Sequence, residues 1–215
     1  MELIAVETSR FLNLFLARRL AGQLYMPSAC QALVDRYRFV VRPSSIEEMT
    51  KDPISFGHGV FEDVAIDSFD IYSDGIIATS KSPTDVLDAF VSDVVAWSNV
   101  ELNLDRVETH KISKMYESHI LIKSDKDLLK PLNELSDVSK AMSGSMKKAT
   151  GQDVKFQPFG LTFAADHSVI PGLKPIAFRL ERKASTEFEM GYYVSSAPLR
   201  TKDHLHILQK IEHLA

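Results

Sequence analysis

The chain has 215 residues, 25 Lys+Arg against 29 Asp+Glu for a formal net charge of −4, and a hydrophobic fraction of 45%. With 9 Gly and 9 Pro, that composition excludes a collagen-like repeat, a disordered chain and a coiled coil. The single cysteine, Cys30, excludes an intrachain disulfide framework and a cysteine-rich metal cage.

At this mass a folded chain buries about 70% of its unfolded surface, so a core forms without covalent staples. No apolar run approaches the ~20 residues of a membrane-spanning helix. The most apolar stretch, from Phe11 to Gly22, is cut by Arg18 and Arg19. Glu2 and Glu7 precede it, where a secretory signal carries basic residues. The expectation is a cytoplasmic chain with no membrane span.

In chain order, the first predicted element is a helix. Ser9 caps it, Phe11, Leu12, Phe15 and Leu16 form its apolar face, and Gly22 stops it. A second helix is expected over 28–35 after Pro27, then a strand over 37–41 stopped by Pro43. Ser45-Ile46-Glu47-Glu48 has the spacing of a capping box. Strands over 66–72 and 76–79 flank Ser73-Asp74-Gly75, whose Asp-Gly pair signals a hairpin. Ser82-Pro83-Thr84-Asp85 opens a long helix, in which Leu87, Phe90, Val91, Val94 and Trp97 recur at helical spacing.

Residues 111–123 read as a long strand. Pro131 starts the next helix, with Leu132, Leu135, Val138, Met142 and Met146 as its buried face. Lys147, Lys148 and Gly151 suit its end. Strands follow over 154–164, 176–182 and 187–194, the first with a bulge at Pro158-Phe159-Gly160. In the middle strand Ile176, Phe178 and Leu180 alternate with Ala177, Arg179 and Glu181. A last helix after Thr201 buries Ile207, Leu208, Ile211 and Leu214.

Grouped rather than alternating strands imply an α+β fold, with a mixed or mainly antiparallel sheet flanked by about four to five helices. The chain reads as one domain over 1–215, with two packed lobes, 1–105 and 106–215, as the alternative. Charge divides unevenly: residues 1–107 are net acidic and residues 108–215 net basic. Between Glu62 and Asp105, Lys81 is the only cation among the carboxylates. Such a division suits head-to-tail self-association or a basic partner, and equally a solvated hairpin and helix face.

The phosphate-loop, dinucleotide-loop and nucleophile-elbow fingerprints are missing from the sequence. Ser145-Met146-Lys147-Lys148 has S-x-x-K spacing without its companion motifs. In Asp203-His204-Leu205-His206 the two histidines lie ~200° apart on a helix, so they do not chelate one ion. They read as a solvated helix start. The leading expectation is a non-enzymatic protein-interaction or assembly subunit, binding a protein partner or itself and needing no cofactor. Phe11, Leu12, Phe15, Arg18 and Arg19 of the first helix are its expected docking residues.

Asp166 followed by Glu181-Arg182-Lys183, at the end of Ile-Ala-Phe-Arg-Leu-Glu-x-Lys, resembles the metal-dependent nucleases of the PD-(D/E)xK type. The likeness is short, and Ala165 stands where that motif has Pro. It implies Asp166 and Glu181 as ligands of Mg²⁺ or Mn²⁺, and Lys183 as the catalytic residue at the attacking water. A third expectation is a non-catalytic nucleic-acid binder using Arg179 and Arg182.

Overall fold

The computed structural model describes residues 1–14, 25–102, 113–168 and 174–215. In chain order the elements are β1 (Glu2–Leu14), α1 (Met26–Tyr37), α2 (Ile46–Met49), β2 (Ile54–Phe61), β3 (Val64–Tyr72) and β4 (Gly75–Ser80). Then come α3 (Thr84–Glu101), β5 (Ser113–Lys123), α4 (Ser136–Thr150), β6 (Gly160–Phe163), β7 (Phe178–Arg182), β8 (Tyr192–Ala197) and α5 (Thr201–Leu214). Short 3₁₀ turns occupy Lys130–Leu135 and Phe188–Met190. The eight strands form one antiparallel sheet in the order β2-β3-β4-β1-β5-β8-β7-β6. The fold is therefore α+β, and among the described residues no helix is long and apolar enough to cross a membrane.

The first element corrects the helix expected after Ser9. Residues 2–14 are a strand in which Ser9, Phe11 and Asn13 are buried between more exposed neighbours, a period of two. Two of those inward residues are polar, which hid the alternation from a hydrophobic reading. Ser9 caps nothing; its hydroxyl donates to the carbonyls of Ser80 and Ser82. Phe11 pairs with Ala78 and Leu12 with Ile77. The remainder of that expected helix, with Phe15, Arg18 and Arg19, lies outside the described residues.

The chain divides into two compact units. One comprises Met1–Ala5, His119–Ala197 and Asp203–Ala215, the other Val6–Ser118 and Pro198–Lys202, so β1 and β5 contribute to both. The join expected near residue 105 falls on 103–112, outside the described residues.

The unit built on Val6–Ser118 has an aromatic core. Phe90 of α3 meets Tyr37 edge-on at 5.0 Å and Phe69 at 5.2 Å between ring centroids. The Tyr37 hydroxyl donates to Asp93 at 2.7 Å, and Arg36 holds the same carboxylate with both Nη2 contacts at 2.9 Å, which ties α1 to α3. The strand expected over 37–41 shrinks to one bridge, Val41 with Gly57. Arg38, at φ 53, ends α1 in the left-handed region and turns the chain away.

The hairpin expected around Ser73-Asp74-Gly75 forms between β3 and β4, but its two-residue loop is not the Asp-Gly pair. Gly75 pairs with Tyr72, so Ser73-Asp74 forms that loop. The two-residue turn with positive φ at both positions is Glu62-Asp63, at 47° and 63°. His58 sits inside β2 at φ 53.

Pro83, not Ser82, is the N-cap of α3, and it supplies no side-chain acceptor. The missing cap comes from Thr201, the first residue of α5. The Thr84 N–H donates to Thr201 Oγ1 at 3.0 Å, and the Thr201 N–H donates to Thr84 Oγ1 at 2.9 Å. Both threonines are buried, so each hydroxyl satisfies an orphan donor at the start of the other helix. Thr201→Ala is expected to lower unfolding free energy by about 1–2 kcal/mol in a urea titration, and Thr201→Ser to retain most of it.

Candidate partner-binding surface

The surface is built from β7 outward. Phe178, Leu180 and Arg182 are buried, while Arg179 is exposed and Glu181 half-buried on the opposite face. Burying a guanidinium is costly unless its donors are met. Arg182 Nη2 donates to Asp127 Oδ1 at 2.7 Å, Nε to the Pro158 carbonyl at 3.3 Å, and Nη1 to the Phe188 carbonyl at 3.4 Å. The Phe188 ring lies 4.8 Å from the guanidinium carbon, adding a cation–π contact. One buried charge thus grips the chain at residue 127 and again at residue 158.

Helix α4 lies between those two grips. Asp127 shapes the lead-in by accepting from the Leu129 N–H at 3.1 Å, while Tyr193 Oη accepts from the Leu128 N–H at 3.2 Å. On the return, the Phe156 N–H donates to Ser143 Oγ at 3.0 Å, and that hydroxyl donates to the Ser139 carbonyl at 2.8 Å. Gly151, at φ 75, closes the helix with its N–H on the Lys147 carbonyl at 2.9 Å, as its position after two lysines suggested. The serine side of α4 therefore faces residues 155–158, leaving a groove of about 440 Å³ between them.

The apolar side faces solvent. Leu135 is 53% exposed, Val138 57%, Met142 48% and Met146 36%, and no residue of α4 is buried. These residues share a helix face, as their spacing predicts, yet the expected burial of that face does not occur. Periodicity says which side chains point together; it carries no information about what covers them. Asp137 and Lys140 pair at 3.0 Å and Lys147 and Asp153 at 3.4 Å, in exposed ion pairs within the chain.

The residues of the nuclease resemblance are brought only partly together. Glu181 is half-buried in β7, and Lys183, just past the strand's end, has its ammonium 5.9 Å from the centre of the Tyr192 ring. Asp166 does not join them. Gly160 pairs with Glu181 and Phe163 with Phe178, so the chain reaches Asp166 beyond the far end of β7. There His167 Nε2 lies 3.0 Å from the Pro175 carbonyl. Pro175 and Glu181 are on the order of 20 Å apart along an extended chain. Asp166 instead accepts from the N–H and hydroxyl of Ser168, which hold its carboxyl below the usual range. Among the described residues no group of three acidic, His or Cys side chains is placed to hold a metal ion.

Arg179 and Arg182, expected together at a phosphate, are on opposite faces of β7, and only Arg179 reaches solvent. Of the expected docking helix, Phe11 is fully buried against Tyr116 at 5.1 Å between ring centroids, and Leu12 is half-buried in the sheet.

His204 is buried rather than part of a solvated helix start. Its Nε2 lies 2.8 Å from Ser195 Oγ, and its ring meets Phe178 edge-on at 5.7 Å. A serine against a histidine invites a nucleophile reading, but Ser195 is buried and its hydroxyl donates to the Arg179 carbonyl at 2.6 Å. His204 therefore donates to Ser195 and packs the core. Only its place one turn into a helix that buries Leu208 hinted at this in the sequence.

Burial, with His119 nearby as a second cause, pushes the His204 imidazole down to about 4. The unfolded chain takes up that proton near pH 6.5, so this contribution to stability is full above pH 6.5 and falls as pH drops toward 4. The loss amounts to roughly 3 kcal/mol. Urea titrations at pH 7 and pH 4.5 are expected to show a smaller decline for His204→Gln than for the parent chain. Asp127→Ala, which leaves the Arg182 guanidinium buried without its carboxylate, is expected to cost about 3 kcal/mol in the same assay.

Comparison with protein-family models and with curated proteins finds no match to this chain.

Proposed function

We propose that this chain is a non-enzymatic protein-interaction or assembly subunit that docks through the apolar stripe of α4. The observation that carries the reading is an amphipathic helix of 15 residues, none buried, held at both ends of its excursion by Arg182. Contiguous apolar patches exposed on soluble proteins mark interaction sites, and an amphipathic helix is a common ligand for an apolar groove. The two methionines add a side chain that adapts to an uneven partner surface. This reading moves the docking residues from the first strand to Leu135, Val138, Met142 and Met146.

The nuclease and phosphate-binding readings lose their support, because Asp166 stands apart from Glu181 and Arg182 is buried in its own ion pair. A photo-crosslinking residue at position 142, introduced in cells of the native source, tests the proposal. The expected result is a discrete protein adduct at 142 that is missing when the same residue replaces exposed Lys51. Equal labelling at both positions, or none, overturns it. Met142→Glu is expected to abolish the interaction while changing stability by less than about 0.5 kcal/mol, since the side chain supports no core.

A further inference from the structure

We infer that the occupant of the α4 stripe is a second copy of this chain, its α4 lying antiparallel across the first about a two-fold axis near Met142. This rests on the interaction reading above and adds the identity of the partner.

The stripe has two unlike flanks. Ser139 and Ser143 border one side, and that side is taken up by residues 155–158. At ~100° per residue the other side of α4 carries Ala141, Ser145 and Lys148, and Glu134 precedes it in the 3₁₀ turn that leads into the helix. All four are exposed. The small pair in the middle, Ala141 and Ser145, lets another helix approach closely. The charges at its ends are an acid near the N-terminus and a base near the C-terminus.

Those two charges differ from the others around α4. Asp137 pairs with Lys140 and Lys147 with Asp153, whereas Glu134 and Lys148 make no ion pair among the described residues. An antiparallel copy meets both at once. A two-fold near Met142 sets each Glu134 within about 3 Å, along the helix axis, of the partner's Lys148. The same operation sets Val138 against the partner's Met146, and Leu135 against the partner's Ala149. Large side chains then face small or flexible ones, and Met142 faces its own copy. A parallel two-fold pair would instead set this flank against the partner's Ser139 and Ser143 flank, where residues 155–158 lie and Glu134 and Lys148 meet no opposite charge of α4.

The helix is ~22 Å long, so a contact confined to it is smaller than the ~1,200 Å² of a standard stable interface. A contact of that size is expected to associate reversibly.

Sedimentation velocity on the full chain, followed over rising concentration, is the first arm of the test. A reversible monomer–dimer equilibrium is expected, with Glu134→Lys weakening it about fivefold. Adding Lys148→Glu in the same chain is expected to restore it, which a variant damaged in folding would not do. In a Cys30→Ala background, Met142→Cys is expected to form disulfide dimers under mild oxidation. Val138→Cys alone is not, since the two copies of position 138 lie ~12 Å apart along the axis, too far for a disulfide. A mixture of Val138→Cys with Met146→Cys is expected to cross-link.

A monomer at every concentration overturns the inference, as do dimers indifferent to the charge exchange or disulfides from Val138→Cys alone. If the chain is monomeric but position 142 labels a different protein, the self-docking inference fails and the interaction reading stands. A monomer with no adduct at 142 overturns both.

Discussion

The burial of Arg182 is the constraint on which the candidate surface depends. A guanidinium removed from water must have its donors met, and here they reach a carboxylate, two backbone carbonyls and two aromatic rings. Once Arg182 points inward, the two-residue period of β7 assigns every neighbour. Phe178 and Leu180 join the core, and Arg179 and Glu181 face the other way. The same guanidinium draws the chain back to one place, by its ion pair with Asp127 and its hydrogen bond to the Pro158 carbonyl, and the intervening segment includes a helix with no buried residue.

That arrangement resolves an energetic difficulty. A helix of fifteen residues alone in water is marginal, and most protein helices are stabilised by burying an apolar face. Here α4 relies on local chemistry instead. Asp137 stands in its first turn, Lys147 and Lys148 in its last, Gly151 closes its C-terminus, and Ser143 bonds to the returning chain. The apolar stripe is left over from the stability account, and a leftover apolar stripe is what an interaction partner uses.

Helix α3 makes the contrast. Its apolar residues recur with the same period, yet Leu87, Phe90, Val91 and Val94 are buried, and Phe90 sits among Tyr37, Phe61 and Phe69. The shared period does not separate the covered helix from the uncovered one, although α3 carries the more numerous and larger apolar residues, Phe90 and Trp97 among them. The difference lies in which strands and rings the remainder of its unit brings to each.

The sequence by itself determined much of the local structure, because local structure depends on neighbours along the chain. The grouped strands of an α+β protein, α1 behind Pro27, the Ser45 capping box, α3, and the Gly151 stop were legible in that way. Where local signals were read and failed, a distant partner had decided the matter. Ser9 serves the carbonyls of Ser80 and Ser82 rather than a helix, and Thr84 takes its cap from Thr201. Tertiary structure alone decided that Asp166 and Glu181 stand apart, that Arg182 and His204 are interior, and that the α4 stripe meets solvent. Strand register and burial arise from contacts between residues far apart in the chain, and a one-residue change in register reverses which side chains are available.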